Sequence, residues 1–223
     1  MIKIQNLEKY YTDEDGNKTT IYRDMSLEIK KWEFIAILGT SGSGKTTLLN
    51  LLSGLDDFQW GEIEIAWEKL ATLSSDQKTA FRAKNISFIF QQFNLIDNLT
   101  AEENLDLIVD LNKLKRRYET DELLWKVGLE HKKKAYPFHM SGWEQQRVAV
   151  ARAFVGDTPL LLADEPTGNL DQKNSEIVMQ LIDELHKDAG NTIIMITHDL
   201  EIAARADKSY VLQDNILVEH KHV

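Results

Sequence analysis

The stretch Gly39-Thr40-Ser41-Gly42-Ser43-Gly44-Lys45-Thr46-Thr47 stands directly behind an all-apolar run, Phe34-Ile35-Ala36-Ile37-Leu38. Gly39, Gly44, Lys45 and Thr46 fit the spacing of a phosphate loop: glycine, four residues, glycine, lysine, then serine or threonine. Glycine-rich backbone can turn so that successive N–H groups point into one concavity, and the helix that follows adds the positive end of its dipole. Such a concavity, enclosed by residues 39–47, suits a polyphosphate. Lys45 would reach the β- and γ-phosphates, and the Thr46 hydroxyl would ligate a magnesium ion bridging them. Behind the loop, Leu48, Leu49, Leu51 and Leu52 recur at helical spacing, so the stretch predicts a strand, a loop and a helix that together bind a nucleotide.

Working outward, 223 residues with 43% hydrophobic and 28% charged side chains describe a globular chain able to bury a sizeable core. The net charge of −10 argues against a general nucleic-acid binder, which needs a basic face. The run His131-Lys132-Lys133-Lys134 reads as solvated surface. The sequence has no cysteine, which rules out disulfides and thiolate metal sites and fits a reducing compartment. The opening MIKIQNLEKYY lacks the apolar core of a secretion signal, and no apolar run approaches the length of a bilayer span. The expected location is cytoplasmic, with membrane contact only through a partner.

Ahead of the loop, Ile2 and Ile4 alternate with polar residues, and after the turn 13–17 the stretch Thr20 to Ile29 is rich in strand formers; this predicts a β-hairpin. Tyr11, near the end of its first strand, either packs or offers a ring face to a base. After the loop come a short alternating strand, Gly61 to Ile65, a brief helix over 76–84, and a mostly apolar strand, Ile86 to Phe90, ending in Gln91-Gln92. Ligands in open α/β sheets collect at the carboxyl ends of strands, so Gln91 is either a site residue or a plain turn amide. Thr100-Ala101-Glu102-Glu103 is a capping box opening a helix, and a second helix over 120–127 stops at Gly128. No strand pattern interrupts about sixty residues here, which predicts an inserted helical block.

Leu160-Leu161-Leu162-Ala163 then ends in Asp164-Glu165. Two adjacent acids at the end of an apolar strand are unfavourable unless a cation sits there, and the magnesium implied by Thr46 supplies one. Asp164 would hold the metal, and Glu165 would face the γ-phosphate and orient or deprotonate the attacking water. A helical face of Ile177, Val178, Leu181, Ile182 and Leu185 leads to Gly190, and the strand Thr192 to Thr197 ends in His198-Asp199. His198 either contacts a phosphate or is a structural hydrogen-bonder. A closing hairpin over 209–219 completes the pattern.

Taken together, these elements resemble the ATP-binding subunit of an ABC transporter over essentially the whole chain. Met140-Ser141-Gly142-Trp143-Glu144-Gln145-Gln146-Arg147 looks like that family's signature, L-S-G-G-(Q/E)-x-Q-R. The wording FQQFNLI and ADEPTGNLD is similar to the lipoprotein-releasing, macrolide-exporting and antimicrobial-peptide subfamily, and related cell-division cassettes share much of it. The resemblance implies a phosphate-loop, RecA-like α/β core over about 1–94 and 157–223, an antiparallel β subdomain, and a helical signature subdomain over about 95–156, in one domain. It implies ATP and Mg²⁺ as ligands, with Tyr11 stacking the adenine, Gln91 touching Mg²⁺ beside Thr46 and Asp164, and His198 as the switch histidine. It places Asp171 in the D-loop, Gly168-Asn169-Leu170-Asp171. Ser141 and Gly142 would bind nucleotide held by a second copy of the chain in a head-to-tail dimer. A separate transmembrane permease would carry an exported or extracted lipid-linked, hydrophobic or peptide-like substrate, with the chain on the inner face of the membrane. The competing reading is a regulator of cell-envelope division complexes. A soluble cassette protein of DNA repair or translation is disfavoured, because no second cassette or inserted coiled coil is present.

Three tryptophans stand where the family usually has glycine: Trp32, Trp67 and Trp143. Turn glycines commonly supply positive φ, which a bulky residue adopts at about 1–2 kcal/mol. Asn215, also at a usual glycine, tolerates that region. An indole at 143 is expected to crowd the γ-phosphate, giving an attenuated, nucleotide-gated module. The competing explanation is that UGA codons read as tryptophan here encode glycine; 11 glycines against 5 tryptophans lie in that direction, below the usual roughly 7% glycine.

Overall fold

The computed structural model describes residues 1–40 and 42–220. The chain opens with β1 (Ile2–Thr12), β2 (Lys18–Ile29), β3 (Phe34–Leu38), α1 (Lys45–Leu52), β4 (Trp60–Ile65), β5 (Glu68–Lys69) and α2 (Ser75–Asn85). There follow β6 (Ile86–Ile89), α3 (Ala101–Asn112), α4 (Thr120–Lys126), α5 (Gly142–Phe154), β7 (Leu160–Asp164) and α6 (Gln172–Ala189). The last elements are β8 (Thr192–Ile196), α7 (Leu200–Ala203), β9 (Lys208–Gln213) and β10 (Ile216–His220). Two compact units result, one of residues 1–85 with 192–223 and one of residues 86–191.

The first unit holds the expected hairpin: Ile2 pairs Ile29 and Thr12 pairs Lys18, around a turn in which the Asp13 carboxylate accepts the N–H groups of Asp15 and Asn17. β4 and β5 extend it to an antiparallel sheet in the order β2-β1-β4-β5. β3 runs parallel between β8 and β9, and β10 pairs antiparallel with β9. All five residues of β3 and of β8 are buried, as expected for parallel strands covered on both faces, which carry apolar runs rather than alternation. Leu48, Leu49, Leu51 and Leu52 of α1 are buried too, so the loop between β3 and α1 is anchored at both ends by core.

In the second unit β6 and β7 pair in parallel, Ile86 with Leu160 and Ile89 with Ala163. The Thr100 capping box forms as the sequence predicts: the Thr100 hydroxyl accepts from Glu103 N–H, and the Glu103 carboxylate accepts from Thr100 N–H at 2.8 Å. α4 ends at Gly128 and α6 at Gly190, with φ of 67° and 59°, the left-handed stop that glycine supplies. No helix among the described residues is long and apolar enough to cross a membrane.

The tryptophans divide. Trp32 and Trp67 adopt φ of 69° and 74°, beside Ala66 at 51°, and Asn215 sits at 67°, so these turns do use the backbone region that glycine favours. Trp143 lies in the first turn of α5 with no positive φ. A helix start asks nothing special of φ, so the expected backbone strain belongs to Trp32 and Trp67 and not to Trp143.

Candidate nucleotide site

In the first unit the phosphate loop closes on itself. Lys45 is buried, and its Nζ donates to the carbonyls of Gly39 at 2.7 Å and Thr40 at 2.8 Å. The Gly44 carbonyl accepts the Tyr22 hydroxyl at 2.6 Å, and burial pushes that phenol above its ordinary pKa. Two glycines are dictated by geometry. At Gly39 an added Cβ would stand 2.7 Å from Ser43 Oγ and 3.2 Å from the Leu212 carbonyl; at Gly44, with φ of 107°, it would stand 2.5 Å from Ile21. Gly42, with φ of 77°, faces open space. Ser41 lies outside the described residues.

The loop fits the triphosphate it predicts. Ser43 Oγ is buried with no hydrogen-bond partner among the described residues, an orphan that a phosphate oxygen would satisfy. Thr46, exposed at the head of α1, offers the hard oxygen that magnesium takes alongside substrate phosphates rather than within a protein cage. Gly39, Thr40, Gly42, Ser43 and His198 line one open cleft of ≈ 800 Å³ together with Ile21 and Leu212. The sequence separates His198 from the loop by over a hundred and fifty residues; the β3–β8 pairing brings them to the same strand ends.

Tyr11 stands 43% exposed, with its hydroxyl donating to Asp56 Oδ2 at 2.6 Å. Lys9 Nζ lies 4.2 Å from the ring centroid and 2.8 Å from Asp56 Oδ1. Burial raises the Asp56 pKa, but the bonds from Lys9 and Tyr11 outweigh it and hold the carboxyl below its ordinary value. Thr47 interacts with the Tyr11 hydroxyl, joining the ring to the loop's end. The sequence reading found Tyr11 and missed the Lys9–Asp56 pair that fixes its orientation, since a lysine at a buried strand position carries no motif.

The second unit gathers the acidic pair, Gln91 and the signature. Asp164 ends β7, and Glu165 follows with φ of 43°, a strained position of the kind found at functional sites. A Cβ on Gly168 would lie 2.9 Å from Gln91 Nε2 and 3.2 Å from Glu165 Oε2, so the amide and the carboxylate converge over one glycine. Gln91 is held by Asn169, whose Nδ2 donates to the Gln91 carbonyl at 2.9 Å and whose Oδ1 accepts from Gln91 Nε2 at 3.4 Å. Asp171 caps α6, accepting the Asn174 N–H at 2.9 Å; its carboxyl sits below its ordinary pKa through that bond.

Ser141 begins α5, and its N–H and hydroxyl both donate to Glu144 Oε2 at 2.8 Å. Burial raises the Glu144 pKa, but these bonds and Lys132 outweigh it and leave the carboxyl below its ordinary value. The Arg147 guanidinium lies 4.3 Å from the Trp143 ring centroid and donates to the Val127 carbonyl at 2.6 Å. Trp143 remains 37% exposed beside Ser141 and Gly142. Two further residues act as supports, Gln146 from within the quoted signature and Arg152, which the sequence reading missed. Gln146, fully buried, donates to the Pro166 carbonyl, tying α5 to the strand end that bears Glu165. Arg152 donates to the carbonyls of Phe93 and Asn94; its only signal in the sequence is a lone charge inside the run Val148-Ala149-Val150-Ala151-Arg152-Ala153-Phe154.

Comparison with known proteins returns one picture. The family described as "ABC transporter" matches residues 22–168. The lipoprotein-releasing system ATP-binding protein LolD of Francisella tularensis is 42% identical over 97% of this chain and 95% of its own length. The macrolide export ATP-binding/permease protein MacB of Mannheimia succiniciproducens is 39% identical over 98% of this chain and 34% of its own length. Among solved structures, a dimeric post-hydrolysis state of the ATP-binding cassette MJ0796 bound to ADP and Pi superposes with a TM-score of 0.88 at 37% identity, over 99% of this chain and 98% of that one.

Proposed function

The chain belongs to the ABC transporter family, and from that membership we propose that it is the ATP-hydrolysing subunit of a transporter that extracts or exports a lipid-linked, hydrophobic or peptide-like substrate through a separate membrane permease. The observation that carries the reading is Lys45, buried in the loop with its ammonium on the Gly39 and Thr40 carbonyls beside the orphaned Ser43 hydroxyl. A triphosphate entering there takes over both groups. Tyr11 stacks the adenine on the face away from Lys9, and the N–H groups of residues 39–47 hold the phosphates.

Thr46, Asp164 and Gln91 would hold Mg²⁺, which neutralises charge on the β- and γ-phosphates when bound. Glu165 accepts the proton of the water that attacks the γ-phosphorus, ADP departs as the leaving group, and inorganic phosphate is released. His198 contacts the γ-phosphate and registers its loss. Ser141 and Gly142, at the head of α5, seal the nucleotide of a second copy in a head-to-tail pair, with Asp171 steadying the D-loop. The helices over 95–156 form the subdomain that passes the movement to the permease, through which alone the chain meets the inner face of the membrane.

The test uses Glu165→Gln with MgATP. The expected result is a stable dimer retaining two nucleotides and co-purifying with a permease; a monomer without nucleotide overturns the assignment. Trp143, half exposed beside the signature serine, favours a second reading, a cassette of attenuated turnover. Trp143→Gly then raises kcat, and an unchanged rate removes that reading.

A further inference from the structure

Just after β6, Phe93 and Asn94 both adopt φ of 49°. Two consecutive non-glycine residues in the left-handed region are unfavourable and persist only where the surroundings over-determine them. One side chain grips both residues. Arg152, in the last turn of α5, donates from Nη1 to the Asn94 carbonyl and from Nη2 to the Phe93 carbonyl at 2.8 Å. Burial lowers its pKa to about 10, so it is charged at neutral pH, and charge-assisted bonds of this kind are roughly twice as strong as neutral ones. Gly142, at the start of the same helix, lies close to the Phe93 ring, which a Cβ there would meet at an ordinary contact distance of 3.5 Å.

We propose that Arg152 is a positioning residue for Gln91: by gripping the left-handed Phe93–Asn94 pair it fixes the turn that aims the Gln91 amide over Gly168 beside Glu165. The turn has two anchors. On its far side the pair is clamped to α5 by Arg152, and on its near side Gln91 is clamped to the D-loop by Asn169. Because α5 begins at the signature serine, any shift of that helix reaches Gln91 through the guanidinium. The inference rests on the reading of Gln91 as a group that touches the metal of bound MgATP.

The experiment compares Arg152→Met, which keeps the aliphatic packing, Arg152→Met with Asn94→Gly, and Asn94→Val. Asn94 is exposed; glycine there adopts positive φ without strain, and β-branched valine opposes it. Rate, the Mg²⁺ concentration giving half-maximal rate, affinity for a fluorescent ATP analogue, and hydrogen exchange of residues 90–96 are measured on the full chain. Expected is a kcat loss of roughly tenfold or more for Arg152→Met, from two lost charge-assisted bonds, with a raised Mg²⁺ requirement, nucleotide affinity within about twofold, and faster exchange in 90–96. Asn94→Val should reproduce this with Arg152 intact, and Asn94→Gly should restore most of the rate to Arg152→Met. A rate and Mg²⁺ dependence unmoved by Arg152→Met overturns the inference. So does a loss that Asn94→Gly leaves unrepaired and Asn94→Val does not share. Gln91→Ala is run alongside: if it changes neither kcat nor the Mg²⁺ requirement, the reading of Gln91 itself fails, whereas a defect in Gln91→Ala with none in Arg152→Met isolates the failure to Arg152.

Discussion

Trp67→Gly should make this protein more stable, although it removes the largest side chain the code offers. Trp67 holds φ at 74°, where a side chain with a Cβ is disfavoured by about 1–2 kcal/mol. Its indole is 83% exposed, so truncation forfeits little burial. Against the relief stands the greater freedom of glycine in the unfolded chain, about 0.5–1 kcal/mol. The balance is a gain of about 0.5–1 kcal/mol, which in a chain of this size raises the thermal midpoint by roughly 2–4 °C per kcal/mol. Trp32→Gly should behave alike: φ is 69°, the indole is 69% exposed, and the hydrogen bond to Thr192 Oγ1 comes from the main chain and survives. Trp143→Gly is the control of opposite sign, because it puts glycine into a helix at about 1 kcal/mol and loses the stack on Arg147. Urea unfolding followed by far-ultraviolet circular dichroism reads all three without relying on indole fluorescence. A lowered midpoint for Trp67→Gly, matching that of Trp143→Gly, refutes the reasoning. All five tryptophans are at least 37% exposed, unusual for a residue highly buried on average. Peptide masses of the natively expressed protein decide whether glycine stands at 32 and 67 in the cell, and a UGG codon at either position excludes it there.

Gly44→Ala should abolish nucleotide binding measured with a fluorescent ATP analogue, since φ of 107° and the 2.5 Å approach to Ile21 leave no room for a methyl group. Glu165→Gln should lower kcat by roughly 10²–10⁴ in a phosphate-release assay while affinity for ATP is kept. Asp56→Asn tests the Lys9–Asp56–Tyr11 cluster through pH. The Asp56 carboxyl is depressed in the folded state, so its stabilisation is complete above the unfolded value of about 3.9 and is lost as pH falls through the folded one. The variant should therefore be less stable than the parent at neutral pH, with the gap closing below about pH 4; a gap that is constant with pH would assign the effect to packing.

How much of this was legible in the sequence depended on whether a residue's role is written locally. The five apolar residues of β3 and the glycines behind them declare a buried strand and a phosphate loop, because burial on both faces and backbone approach each demand particular residue types over a few positions. The Thr100 box was equally local, with both partners three residues apart. His198 and the loop were each visible, but their meeting in one cleft is a product of strand order, which periodicity does not encode. Lys9, Arg152 and the partner of Gln146 were invisible for a related reason: each side chain acts on main-chain atoms or on a carboxylate far along the chain, and a carbonyl acceptor leaves no trace in residue identity.

The supporting residues share a purpose, and it bears on why the site is built from such short segments. Lys9 and Asp56 hold Tyr11, Gln146 holds the carbonyl after Glu165, Asn169 and Arg152 hold the two sides of the Gln91 turn. In each case the chemical group stands at a strand end or in a turn, where the backbone alone does not fix it. Three of these supports come from α5 or the D-loop rather than from the strand bearing the group they hold. Positioning by side chains of another element makes the group's geometry a function of that element's placement. A helix capped by the signature serine, whose later turns grip the neighbours of Gln91 and Glu165, is thus a lever as well as a wall. Glutamate, glutamine and signature should therefore respond to mutation as one unit: combining Gln146→Leu with Arg152→Met should cost less in rate than the product of the single losses, as groups acting together are non-additive. Strict multiplicativity in a double-mutant cycle on kcat would show that the two supports act separately.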